Sequence, residues 1–277
     1  MFKRGQAQQF NWIFIAVVGI IILLFFLGFL MKYIDLQDSK RNAEIARSFA
    51  NSILTVKGTT QYKNFSVSQP FGVDYDCESL IINKDQKFRI PYSLLMDSFE
   101  TNRLVFWAEE YKKGFLVDRA VFISDADLEY FFEDSNYLVG LPPNVKIASS
   151  VQNADVIVSG ANVDYPNKKD IFVDASAGVI GFVDEGETFY LGSDFDDFFV
   201  YAAAFSNSKT FNCTKEKLDG NFNRLRELYG YKIEQISMGQ IGLCNYNSMR
   251  DAIVAGDVDQ MVTLNNNLAN LNCEVVF

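Results

Sequence analysis

With 277 residues, of which about 220 follow the first long helix, the chain has room for one large domain or two small ones with proper cores. A net charge of −10, with no basic run after residue 60, argues against nucleic acid or an anionic surface as partner. Histidine is absent, which removes Ser-His-Asp and Cys-His catalysis and the commonest zinc and iron ligand together. No cofactor is expected.

Residues 1–11, MFKRGQAQQFN, form a short basic and polar N-terminal segment. Trp12 to Met31 then runs twenty residues without a charge. As a helix this is ~30 Å long, the thickness of a bilayer's hydrocarbon core, and its apolar character on every face predicts a transmembrane helix over 12–31. Lys3 and Arg4 would hold the N-terminus in the cytoplasm, but Lys32, Lys40 and Arg41 beyond the span equal Lys3, Arg4 and the α-amine in number. The apolar run is too long for an ordinary secretory signal, and no A-x-A site follows it.

No Gly or Pro interrupts Lys32 to Val56, so the helix is expected to continue as an amphipathic half over 32–57. Ile45, Phe49 and Ile53 fall at i, i+4 spacing, with Ala46, Ala50 and Leu54 in the neighbouring column. Gly58 is the expected stop, preceded by Lys57 at the negative helix end. One helix from about Gln6 to Val56 would be roughly 75 Å long.

Residues 58–277 read as one globular α/β domain. Short alternating runs in 59–95 predict a small antiparallel sheet. Ser98–Lys113 reads as a helix, with Leu104, Phe106, Trp107 and Tyr111 on its apolar side. A strand-rich core over 115–195 follows: Phe115–Ile123 as strand, Asp125–Tyr137 as helix, then strands at Val145–Ala148, Asp155–Val158, Asp170–Val173 and Val179–Val183. That alternation predicts a partly parallel sheet. Residues 196–277 are mostly helical, with helices at Phe198–Phe205, Thr214–Gln235, Asn245–Ala255 and Val258–Leu271. The fold class is therefore α+β: a long N-terminal transmembrane and amphipathic helix, a mixed α/β domain, and a helical C-terminal part.

Cys77, Cys213, Cys244 and Cys273 form no CxxC pair, so a zinc ribbon or thioredoxin-like site is not expected. Four cysteines allow two disulfides with three connectivities, or four reduced buried thiols. Cys213 with Cys244 is the favoured pair, because both flank the same helical region. Asn64-Phe-Ser66 and Asn212-Cys-Thr214 are glycosylation sequons if the domain lies outside the cytoplasm.

Three further stretches could carry chemistry. Asp125-Ala-Asp127 follows a strand, where a DxD could hold Mg²⁺, as in glycosyltransferases or haloacid dehalogenase-like phosphatases. Val156-Ile-Val-Ser159-Gly160 resembles the second motif of those phosphatases, although Leu128 and Glu129 depart from their first. The stronger reading is that Ser124 or Asp125 caps a helix starting near Ala126. Asp184, Glu185, Glu187, Asp194, Asp196 and Asp197 form the densest acidic run; without EF-hand spacing it reads as a solvated loop leading to a capped helix. Asp174-Ala-Ser176-Ala-Gly178 offers backbone N–H groups to an anion or, equally, a Gly-permitted turn between strands.

Lys3-Arg4-Gly5-Gln6, followed by the apolar helix and its amphipathic half, resembles the class III signal and anchor of archaeal type IV pilin-like proteins. The resemblance covers about 30 residues. It implies cleavage between Gly5 and Gln6 by a prepilin-type peptidase and a domain outside the cell membrane. Gln8 and Phe10 stand where that family often has Ser and the Glu that neutralises a neighbouring N-terminus in filaments. Most of the chain is also similar to uncharacterised archaeal single-span proteins that open with an RGQ…FNWIF stretch and share a DAS-G-I-F-like strand pair. The expectation is a non-catalytic envelope or pilin-like protein, anchored in lipid through residues 12–31 and bound to other envelope proteins or to itself. The alternatives are a cytoplasm-facing tethered adaptor and a Mg-dependent enzyme using Asp125 and Asp127.

Overall fold

The computed structural model describes residues 3–59, 61–84, 86–90, 93–239, 244 and 246–277. Met1 and Phe2, and the side chains up to residue 13, with Gly5, Gln6 and Trp12 among them, lie outside the described residues. The chain divides into two units, 1–48 and 49–277.

Helix α1 (Lys3–Gly58) supplies the first unit and the start of the second. Every described side chain from Phe14 to Met31 is exposed, and the helix from Phe14 is long and apolar enough to cross a membrane, with a hydropathy of 3.1 in its most apolar window. In the second unit its last turns bury Phe49, Ser52, Ile53 and Val56, the i, i+3, i+4, i+7 stripe of an amphipathic helix. Leu54, expected beside that stripe, is exposed. Phe49 meets Phe106 edge to face at 4.9 Å and Phe65 at 6.2 Å.

Two six-stranded sheets follow. The first has the order β3-β2-β1-β5-β6-β4, from β1 (Lys63–Tyr75), β2 (Ser79–Ile82), β3 (Gln86–Arg89), β4 (Leu94–Leu95), β5 (Phe99–Lys112) and β6 (Leu116–Asp125). It is antiparallel except where β4 runs parallel to β6. The second has the order β12-β11-β10-β9-β7-β8, from β7 (Glu129–Phe132), β8 (Lys146–Ile147), β9 (Val156–Ser159), β10 (Lys169–Asp174), β11 (Val179–Phe182) and β12 (Glu187–Tyr190). β8, β7, β9 and β10 are parallel; β11 and β12 complete the sheet antiparallel. The mixed sheet is as expected, and so are antiparallel strands within 59–95, which β5 joins to β6 in one sheet.

Two expected helices are strands. Ser98–Lys113 is β5, the longest strand, flanked by β1 and β6. Leu104, Val105, Phe106 and Trp107 are all buried, because this strand is covered on both faces: Phe106 meets Phe49, while Trp107 meets Phe205. A doubly buried strand loses the alternation that separates it from a helix. Asp125–Tyr137 is a turn, then β7, then a single 3-10 turn at Ser135–Leu138. Its run Tyr130-Phe131-Phe132 suits a pleated surface better than a helix.

The C-terminal part is helical: α2 (Asp197–Ala204), α3 (Ser208–Gly239), α4 (Tyr246–Ala255) and α5 (Val258–Asn270). α2 is buried nearly all round, with Phe198, Phe199, Val200 and Ala202–Ala204 all inaccessible. The residue that follows it, Phe205, meets Trp107 of the first sheet at 4.8 Å and Tyr130 of the second at 4.5 Å. This short segment thus fills the core shared by both sheets.

Candidate functional site

Three parallel strands, β7, β9 and β10, end at the same edge of the second sheet. In open α/β sheets, ligands gather at such carboxyl ends. Here they open onto a cleft of about 480 Å³ lined by Glu133, Asp134, Tyr137, Ser159, Gly160 and Ala175. The Ser159-Gly160 end of the VIVSG stretch and the start of the Asp174–Gly178 turn therefore meet at one place, which their separation in sequence does not show.

Polar groups of four residues lining this cleft are already engaged with the chain itself. Gly160 N donates to Glu133 Oε2 at 2.8 Å, Asp134 Oδ1 accepts from Asn136 N at 2.9 Å, and Ser159 Oγ donates to the Ala161 carbonyl at 3.0 Å. No Lys or Arg lines it. A phosphate would meet two carboxylates and an N–H that is taken, so the phosphatase-like resemblance of this stretch has no anion site to match.

The Asp174–Gly178 turn is closed in the same way. Asp174 Oδ1 accepts from Ser176 N at 3.0 Å, Ser176 Oγ at 2.7 Å and Ala177 N at 3.0 Å, which holds its carboxyl below the usual range. The N–H groups an anion would need are turned on the chain's own carboxylate. Gly178 has φ +64°, and a Cβ there would stand 2.5 Å from the Gly192 carbonyl oxygen. The Gly-permitted turn is what the residues build.

Asp125 and Asp127 lie at the opposite edge, between β6 and the start of β7. Asp125 Oδ1 accepts from Asp127 N at 2.9 Å, so Asp125 caps a turn, not the expected helix. Asp127 faces two cations, with Arg103 Nη1 at 3.2 Å and Lys146 Nζ at 3.1 Å. Two cations at the carboxylate neutralise the charge a Mg²⁺ ion would require, and no group of three His, Cys, Asp or Glu stands together among the described residues.

The acidic run is dispersed into structural tasks. Asp196 Oδ1 caps α2 by accepting from Phe198 N at 2.6 Å, and burial pushes its pKa up. Glu185 accepts from Ser208 N and Oγ at the start of α3, and Asp194 pairs with Lys113 at 2.7 Å. Glu187 opens β12, which a reading of solvated loop missed.

Two buried charges carried no sequence signal. Lys169 Nζ donates to the carbonyls of Ala204 at 3.2 Å and Ser206 at 2.6 Å, at the negative end of α2, with Asp97 at 3.4 Å. Burial lowers its pKa while Asp97 opposes the shift. Asp170 is 1% exposed; one oxygen accepts from Tyr165 N, the other has no hydrogen-bond partner among the described residues, and burial raises its pKa. Both clamp β10 at its start.

All four cysteines are bonded, Cys77 to Cys213 and Cys244 to Cys273. The favoured pair of Cys213 with Cys244 is not formed. Cys213 lies in the first turns of α3 and Cys244 beyond its far end, and the helix from Cys213 to Gly239 alone rises roughly 39 Å, far beyond the Cα separation a disulfide spans. Asn64 lies on β1 and Asn212 on α3. No family model, no curated protein and no solved structure matches this chain.

Proposed function

We propose that this chain is a membrane-anchored, non-catalytic envelope protein of pilin-like design, held in the bilayer by α1 with its domain on the extracytoplasmic side. The observation that carries this reading is the pairing of every cysteine of a domain that follows an apolar helix. Disulfides form and persist in oxidising compartments and are rare in the cytosol. The opening Lys3-Arg4-Gly5-Gln6 supports the same side for the domain, since prepilin-type processing leaves the segment after the anchor outside.

The domain then acts by binding other envelope proteins, copies of itself included. Supporting the non-catalytic role, Asp127 is committed to Arg103 and Lys146, and Ser159 Oγ in the cleft at the strand ends donates to the Ala161 carbonyl. The test is the intact mass of the membrane-extracted protein before and after reduction. Loss of Met1–Gly5 with a gain of about two mass units per disulfide on reduction is the expected result. A full-length mass with four free thiols would replace this reading with that of a cytoplasm-facing adaptor.

A further inference from the structure

The two sequons are equivalent as sequence and opposite as structure. A glycosyltransferase that reads Asn-X-Ser/Thr must reach the Asn amide and the hydroxyl two residues on at the same time. On a strand, residues i and i+2 share a face; on a helix they lie about 200° apart.

Asn64 and Ser66 sit on β1 and are both exposed, while Phe65 between them points the other way, against Phe49 at 6.2 Å and Phe106 at 6.0 Å. Asn64 Oδ1 accepts from Asn144 Nδ2 at 2.7 Å, which orients the amide and leaves Nδ2, the atom that carries a glycan, without a protein acceptor among the described residues. Asn212 is exposed too, but its surroundings differ. Its Nδ2 donates to Glu216 Oε1 at 3.1 Å, Cys213 is bonded to Cys77, and Thr214 is 1% exposed with Oγ1 donating to the Leu94 carbonyl at 2.7 Å.

From this we infer that Asn64 is an N-glycosylation site of the folded domain and that Asn212 is not; the inference rests on the extracytoplasmic placement proposed above. The donor is a saccharide carried on a lipid phosphate or pyrophosphate and presented by a membrane glycosyltransferase. Asn64 Nδ2 forms the new bond to the anomeric carbon, and the bond from that carbon to the phosphate oxygen breaks. The lipid phosphate leaves with the electron pair, and one amide proton passes to a base of the transferase. Asn144 keeps its hydrogen bond throughout, because the modification falls on nitrogen and leaves Oδ1 free to accept.

The test uses full-length protein extracted from the membranes of the organism that makes it. Peptides holding Asn64 and Asn212 are read by mass spectrometry, and free thiols are counted in the same preparation. Expected are four bonded cysteines, saccharide mass on the Asn64 peptide, none on the Asn212 peptide, loss of that mass in S66A and its retention in S66T. Ser66 is exposed, so an unchanged thermal melt in S66A is the control that folding is intact. With the cysteines bonded, a bare Asn64 or a modified Asn212 overturns the inference and leaves the anchored-domain reading standing. Four free thiols overturn both.

Discussion

Cys77, in the turn after β1, and Cys213, in the first turns of α3, are 136 residues apart in sequence and bonded, with their Cα atoms 5.8 Å apart. The bond fastens the first sheet to a helix that comes after every strand of both sheets. In the chain-entropy account, closing a loop of that size contributes about 5 kcal/mol, against ~3.5 kcal/mol for the 29-residue separation of Cys244 and Cys273. C77S/C213S should therefore lower the urea midpoint more than C244S/C273S. The reverse order would mean that native-state contacts around the bonds outweigh loop closure.

Asp127→Asn tests the carboxylate that the sequence marks for a metal. Its partners Arg103 and Lys146 are about half exposed, so losing both ion pairs should cost under about 1 kcal/mol. Thermal melts with and without millimolar Mg²⁺ should coincide for wild type and variant alike. A Mg²⁺-dependent rise in the wild type that D127N abolishes would restore the cation-site reading.

Gly178→Ala joins two penalties, a positive φ of +64° and a Cβ 2.5 Å from the Gly192 carbonyl oxygen. Gly140 also has a positive φ, +99°, but nothing lies within 4 Å of its Cβ position. G140A should thus show backbone strain alone, about 1 kcal/mol, while G178A should cost ~2 kcal/mol or more. Equal effects in urea titrations would show that the Gly192 segment yields freely.

Asp170 gives a pH dependence whose sign can be worked out. Burial, with Asp164 and Asp184 nearby, raises its folded-state pKa above the unfolded value, and the hydrogen bond from Tyr165 N, with Lys168, only partly opposes this. The stability it contributes is complete below the ordinary carboxylate pKa of ~3.9 and is lost as pH rises through the raised value. Asn at 170 keeps an acceptor for Tyr165 N and cannot ionise. D170N should therefore gain on wild type as pH climbs from 4 towards 7. Parallel stability curves over that window would sink the assignment.

Phe205→Ala removes the ring that touches both Trp107 and Tyr130. Both sheets lose their common contact, and the expected cost is about 3–5 kcal/mol in equilibrium unfolding. A loss below ~1 kcal/mol would mean that the two sheets close on each other without it.

What was legible in the sequence was whatever is encoded along one dimension. The span of α1 follows from the charge-free run Trp12–Met31, and the strands at β6, β9, β10 and β11 follow from short buried runs bounded by turns. The capped helix after the acidic run followed too, with Asp196 directly before it, whereas the helix expected after Asp125 did not. β5 was illegible because Leu104–Trp107 is apolar on both faces, and only the tertiary neighbours Phe49 and Phe205 explain that. The cysteine pairing and the cleft beside Gly160 depend on where distant strands end, and no local pattern carries that information. Nothing local marked Lys169, whose partners are the Ala204 and Ser206 carbonyls and Asp97, or the buried carboxylate of Asp170.

The position of α2 in the chain bears on how this protein can be made. All twelve strands precede it, yet residues 197–205 supply the apolar filling between the two sheets. During N-to-C synthesis both sheets emerge with their inner faces bare, and neither can close until those residues arrive. A chain on its way across a membrane would thus stay slack and threadable through nearly three-quarters of its length. Its collapse, and with it the pairing of Cys77 with Cys213 by an external disulfide oxidant, would wait for the helical part to follow.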